Sequence, residues 1–183
     1  SYDFYADGSG TNYGPFTGTH DTLTPIGTTF NIGDIVVDTQ IIARNGISST
    51  ISLVATSTQA NQPAILGVVC QEPKSLLDAQ PAVYIIGFDQ ETNKPILSPQ
   101  YETDSQIYNL MPVNSVGEGQ INVCGEGGNI NAGDLIVTSS MAGKGMKQAD
   151  DIVRSITVAK ARESVIFNGA TDVKTIACIY LSG

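Results

Sequence analysis

Asn31-Ile32-Gly33-Asp34-Ile35-Val36-Val37 and, one hundred positions on, Asn131-Ala132-Gly133-Asp134-Leu135-Ile136-Val137 match position for position in character. Each places Gly-Asp in a turn directly before an apolar strand. Glycine accepts the positive φ of such a turn, and aspartate caps it with its own carboxylate. A second apolar strand follows each copy, Ile65 to Cys70 in the first and Ile156 to Ala161 in the second. The echo predicts a duplicated β unit and an all-β, hairpin-rich chain with at most one or two short helices.

The surrounding sequence reads the same way. Ile35 to Arg44 and Ile47 to Thr56 flank Asn45-Gly46, the dipeptide that favours a tight hairpin turn. Val83 to Phe88 and Pro95 to Leu97 flank a polar turn and predict another hairpin, and Pro99 to Leu110 reads as one short helix. Val113 to Val116 and Gln120 to Cys124 flank Gly117-Glu118-Gly119, again hairpin-like. Ile152 to Ala161 reads as a strand, and Val173 to Leu181 closes the chain. The apolar run Thr175 to Leu181 lacks polar alternation, as expected of a strand covered on both faces. The organisation expected is a Gly- and aromatic-rich arm over residues 1–29, then a single β domain over 30–183 with an insertion at 71–112.

Composition narrows the function. Eighteen acidic residues against nine basic give a net charge of −9, a surface that phosphate backbones repel, so no nucleic-acid partner is expected. No apolar run approaches the length of a membrane span, and no secretory signal opens the sequence. Only 15% of residues are charged, below the usual share of about 25%, so part of the surface is expected to face other protein. Five of the twelve Phe and Tyr residues, Tyr2, Phe4, Tyr5, Tyr13 and Phe16, crowd into the first sixteen positions. An aromatic arm of this kind packs on the body or on a neighbouring chain, and these five are the expected interface of an oligomer.

Chemistry-bearing groups are sparse. Cys70, Cys124 and Cys178 lie in apolar strand contexts with no CxxC, and His20 is the one histidine, so no metal and no cofactor are expected. Asp3, Asp7 and Gly8 fail as a calcium loop because the third and twelfth positions would be Tyr5 and Gly14. Ser139, Ser140 and Lys144 make a Ser/Lys pair on paper, yet Lys144 between two glycines reads as a solvated lysine that would stay protonated. Tyr84, Phe88, Tyr101 and Tyr108 are candidates for a glycan-binding surface. Ser1 is a candidate nucleophile for a single self-cleavage, with Asp3 or Asp7 assisting proton transfer.

Asn12-Tyr13-Gly14-Pro15-Phe16-Thr17-Gly18-Thr19-His20-Asp21, the stretch Ile121 to Lys147 and Thr157 to Ala161 together carry a resemblance. The sequence resembles the C-terminal regions of tailed-bacteriophage structural proteins, chiefly tail fibres, spikes and appendages. The resemblance implies a homotrimeric β-rich virion module, assembled in the bacterial cytoplasm, that trimerises an upstream fibre shaft or contacts other virion proteins. Two alternatives are an exposed receptor- or glycan-binding tip or capsid decoration, and a serine-type intramolecular chaperone released by self-cleavage at Ser1. A chain that begins at Ser1 suits a released piece of that kind.

Overall fold

The computed structural model describes residues 17–47 and 49–182. Four strands come first: β1 (Thr17–Pro25), β2 (Ile35–Asn45), β3 (Ser49–Thr56) and β4 (Ile65–Val69). A middle segment follows, with β5 (Lys74–Ser75), β6 (Ile85–Phe88), β7 (Pro95–Leu97) and the short helix α1 (Pro99–Asp104). The second half holds β8 (Tyr108–Cys124), β9 (Leu135–Thr138), β10 (Gly145–Lys147), β11 (Ala159–Ala161) and β12 (Val173–Leu181). Among the described residues the fold is all-β apart from α1 and three short 3-10 turns.

Gly117-Glu118-Gly119 does not reverse the chain, contrary to the hairpin expected there. Strand β8 runs through it for 17 residues, with Gly117 at φ +96°. A hairpin requires its two halves to pair with each other, and here both are taken. β1 pairs antiparallel along 108–117, and β12 pairs antiparallel along 116–124. Gly119 lies beneath the Tyr180 phenol, where any Cβ would collide, so the glycines let the strand bend and be overlain rather than turn.

Two closed circuits result, and β8 belongs to both. The order β1-β3-β2-β4-β8 closes because β1 also pairs β8, and β8-β10-β9-β11-β12 closes because β12 also pairs β8. The pairing senses correspond step by step. β1–β3 and β8–β10 are parallel, and the other four pairings in each circuit are antiparallel. Closure leaves neither barrel with a free edge, in contrast to the separate two-stranded β6–β7 hairpin.

The two Gly-Asp turns occupy equivalent places. Gly33 and Gly133 take φ +92° and +97°. Gly33 N–H donates to Val69 and Gly133 N–H to Ala161, whose own N–H groups return to the Asp34 and Asp134 carbonyls. Ser57 N–H donates to the Ile35 carbonyl, and Gln148 N–H to that of Leu135.

Packing follows the circuits. The second barrel buries Ile121, Val123, Ile136, Ile176, Cys178 and Tyr180, joined by Ile35 and Val68 from the wall of the first. The middle segment caps the far end of the first barrel, where Tyr84, Tyr101, Leu76 and Val83 pack with Leu23, Ala43, Ile51 and Leu110. It ends where β8 begins, so residues 108–112 belong to the barrel wall rather than to the insertion.

Three further expectations change. Residues 17–25, placed in the arm on sequence, form a barrel strand paired along its whole length with β8. Residues 152–158 are loop rather than strand, because Gln148, Arg154 and Thr157 hydrogen-bond among themselves and to local carbonyls, leaving Ile152 and Val153 exposed. β12 does alternate: Ile176, Cys178 and Tyr180 are buried while Val173 and Leu181 are exposed, since no second layer among the described residues covers the outer face of that wall.

Candidate functional site

The barrels meet at Asp34. Its side chain is 5% exposed and forms an ion pair with Lys144, 12% exposed, from the β9–β10 turn of the other barrel. Asn122 Nδ2 donates to Asp34 Oδ1 at 2.7 Å and to the Ile32 carbonyl at 2.9 Å, and Asn31 Nδ2 donates to Asp34 Oδ2 at 3.2 Å. Thr175 Oγ1 donates to Asn122 Oδ1, which fixes the amide's orientation. The carboxylate is thus charge-paired and hydrogen-bonded on both oxygens, the condition under which a buried charge is tolerated.

Gly143 is the plug that makes this possible. Its N–H donates to the Ser57 carbonyl at 2.9 Å, and its carbonyl accepts from Ile35 N–H at 2.8 Å, so one residue bridges β2 and the residue after β3. A Cβ there would run into the Asp34 carboxylate, and φ is +74°. Lys144 is therefore not the solvated lysine expected from Gly143-Lys144-Gly145. It gives no Ser/Lys pair either, because the Ser139 hydroxyl donates to the carbonyls of Met141 and Lys144 and its ammonium is spent on Asp34.

The equivalent corner of the second barrel is an open cleft of about 310 Å³ lined by Gly133, Asp134, Leu135, Lys147, Gln148, Asp150 and Asp151. Asp134 bonds to Lys147 at 2.7 Å with its side chain 23% exposed. Partial burial raises its carboxyl, but Lys147 and the Asn131 N–H together hold it below the usual range. Arg154, with help from Gln148 and the Ile152 N–H, holds the Asp150 carboxyl down at about 2. Asp151 is exposed.

The aromatic candidates do not converge. Tyr84 and Tyr101 are buried, edge to face with centroids 5.4 Å apart. Tyr84 Oη donates to Asp104 at 2.8 Å, and Tyr101 Oη donates to the Leu76 and Ala79 carbonyls. Burial and the Asp104 carboxylate push the Tyr84 phenol up. Both hydroxyls serve the core, so neither is free for a sugar. Tyr108 is half-buried, and Phe88 is 58% exposed on the outer face of the β6–β7 hairpin. Ser1, Asp3 and Asp7, and the aromatics Tyr2, Phe4, Tyr5, Tyr13 and Phe16, lie outside the described residues.

Cys124 and Cys178 are buried and Cys70 half-buried, all as free thiols. Burial pushes Cys178 up to about 12 and raises Cys70. His20 is exposed on β1. Among the described residues no three His, Cys, Asp or Glu side chains converge as a metal site, and no helix is long and apolar enough to cross a membrane.

Exposed apolar side chains concentrate at one end. Among the described residues, seven of the fifteen large exposed hydrophobics (Ile26, Ile47, Leu77, Ile86, Phe88, Ile96 and Ile107) belong to the cap or to turns at that end of the first barrel. Ile26 N–H donates to the Ile107 carbonyl, and Asn45, at the base of the β2–β3 turn, donates to the Ile85 carbonyl.

The sequence reading missed Asn122 and the Asp34–Lys144 pair. One signal was present: Asn122 is the single polar residue in Ile121-Asn122-Val123-Cys124, and a buried amide requires partners. Compared with models of known families and with curated proteins, the chain matches none.

Proposed function

We propose that this chain is a non-enzymatic structural module of a tailed-bacteriophage virion, a trimeric end domain of a fibre or spike that acts in assembly. The reading joins the sequence resemblance to one physical observation, the apolar end. Seven side chains there average more than half exposed. Covering them is worth on the order of 6–12 kcal/mol per copy as an upper bound, comparable with the roughly 4–15 kcal/mol that association costs. A surface of that size favours a protein neighbour over solvent. The two barrels, closed and locked through Asp34–Lys144, make a rigid platform on which to present it.

The test is solution mass by light scattering after size exclusion, in low and high salt. Three copies of 19.2 kDa give about 58 kDa, and a salt-resistant particle of that mass is the expected result. A monomer at every concentration and salt would refute trimerisation.

A further inference from the structure

The junction between the barrels is head-to-tail. The Gly-Asp corner of the first barrel receives the β9–β10 turn of the second, while the same corner of the second barrel receives nothing from the first among the described residues. Ile35 N–H and the Ser57 carbonyl are bridged by Gly143. Leu135 N–H and the Gln148 carbonyl hold the equivalent positions, and no peptide among the described residues bridges them. Gly33 is packed against Asn122, whereas Gly133 has no neighbour within 4 Å of its would-be Cβ. One corner is a filled socket, and its counterpart is an open socket of the same construction.

We infer that the open Gly133–Asp134 cleft is the docking site for the β2–β3 turn, Arg44 to Ile47, of a second copy of this chain. This rests on the assembly reading above and names the surface through which copies join. The occupant follows from the internal precedent: the first barrel's socket takes the second barrel's hairpin turn in cis, so the next contact in the same sense takes the first barrel's turn in trans. Both turns carry a positive-φ glycine at the tip, Gly143 at +74° and Gly46 at +63°.

Charge and apolar surface agree with this occupant. In the open cleft Asp134 is held by Lys147 and Asp150 by Arg154, leaving Asp151 without an ion pair among the described residues. On the turn, exposed Arg44 likewise has none, and its charge is opposite. Beside it Ile47 is fully exposed, and Ile152 and Val153, which follow the cleft residue Asp151 in the chain, are 58% and 61% exposed. A head-to-tail contact of this type closes into a ring or continues as a filament. With two barrels in each copy, three copies make a closed ring of six, and every socket in it is filled.

Charge reversal tests the contact. Arg44→Glu should raise the concentration at the assembly midpoint roughly tenfold or more, and Arg44→Glu combined with Asp151→Arg should restore it, with circular dichroism melting checking that each variant folds. As a second measurement, Ile47→Cys and Asp151→Cys chains are mixed under mild oxidation and the disulfide is mapped by peptide mass spectrometry. A 47–151 bond between two copies supports the docking. A trimer that survives Arg44→Glu unchanged, or the absence of that bond from assembled protein, overturns the socket while leaving trimerisation standing. A concentration-dependent ladder of masses abolished by Arg44→Glu keeps the socket and overturns the trimer. A wild-type chain that is monomeric throughout overturns both.

Discussion

Replacing Lys144 with Ala strands the Asp34 carboxylate in a site where its side chain is only 5% exposed. Removing one member of a buried ion pair costs about 3–5 kcal/mol, because the remaining charge keeps its desolvation penalty. Asn31 and Asn122 still donate to both oxygens, which places the loss near the lower bound. At roughly 2–4 °C per kcal/mol for a chain of this size, about 3 kcal/mol lowers the melting temperature by roughly 6–12 °C. The echo supplies the control. Lys147→Ala breaks the corresponding pair with Asp134, where the side chains are 32% and 23% exposed, and a pair so accessible is worth at most about 1 kcal/mol. Differential scanning calorimetry reads both variants, and Asp34→Asn with Lys144→Met should recover much of the loss by removing the orphaned charge. Equal melting temperatures for the two single variants, or a double variant less stable than Lys144→Ala, would refute the claim that the junction is held by a buried charge pair.

Gly143→Ala forces a Cβ onto the Asp34 carboxylate at positive φ; a loss of about 1–3 kcal/mol in urea unfolding is expected, against little change for Gly169→Ala, which has open space around it and is not at positive φ. Tyr84→Phe leaves buried Asp104 without its phenol partner and should cost about 1–3 kcal/mol by the same assay. Thiol titration of the folded protein at pH 8 should find Cys124 and Cys178 silent and Cys70 slow, all three reacting at once in denaturant. Burial pushes the Tyr180 phenol up to about 12; its folded pKa lies above the unfolded one, so stability is fully present below about pH 10 and falls as pH rises toward 12. Alkaline denaturation followed by tyrosinate absorbance checks that sign, and stability that rises across this window would contradict it.

What could be read in the sequence was local. Gly33-Asp34 and Gly133-Asp134 carry their turn chemistry within seven residues, so the echo and the strands after it were visible, as was Asn45-Gly46 between two apolar runs. Pairing across distance was not. Gly117-Glu118-Gly119 has the composition of a turn, and only the competing claims of β1 and β12 on its flanks make it part of one strand. The same non-locality hid the junction: Lys144 looks solvated among its neighbours in sequence, and its partner lies 110 positions away. Tyr84 and Tyr101 misled for the opposite reason, since aromatic residues in a polar segment look like a surface until Asp104 and the Leu76 and Ala79 carbonyls claim their hydroxyls.

A strand held in common by two barrels imposes a schedule on the chain as it is made. The first barrel can close once Gly117 has emerged, because every one of its strands then exists. The second half of β8 is synthesised next, and its antiparallel partner is complete only after the 57 residues from Gly125 to Leu181 have followed. At about 5–20 residues per second, the hydrogen-bonding edge and apolar face around Ile121 and Val123 wait roughly 3–11 s for their cover. Throughout that interval the nascent molecule is a finished barrel trailing an unpaired β-ribbon. Neighbouring ribosomes on one message would bring many such ribbons together, so slowing translation across this stretch should lower the yield of soluble protein more than slowing it anywhere upstream of β8.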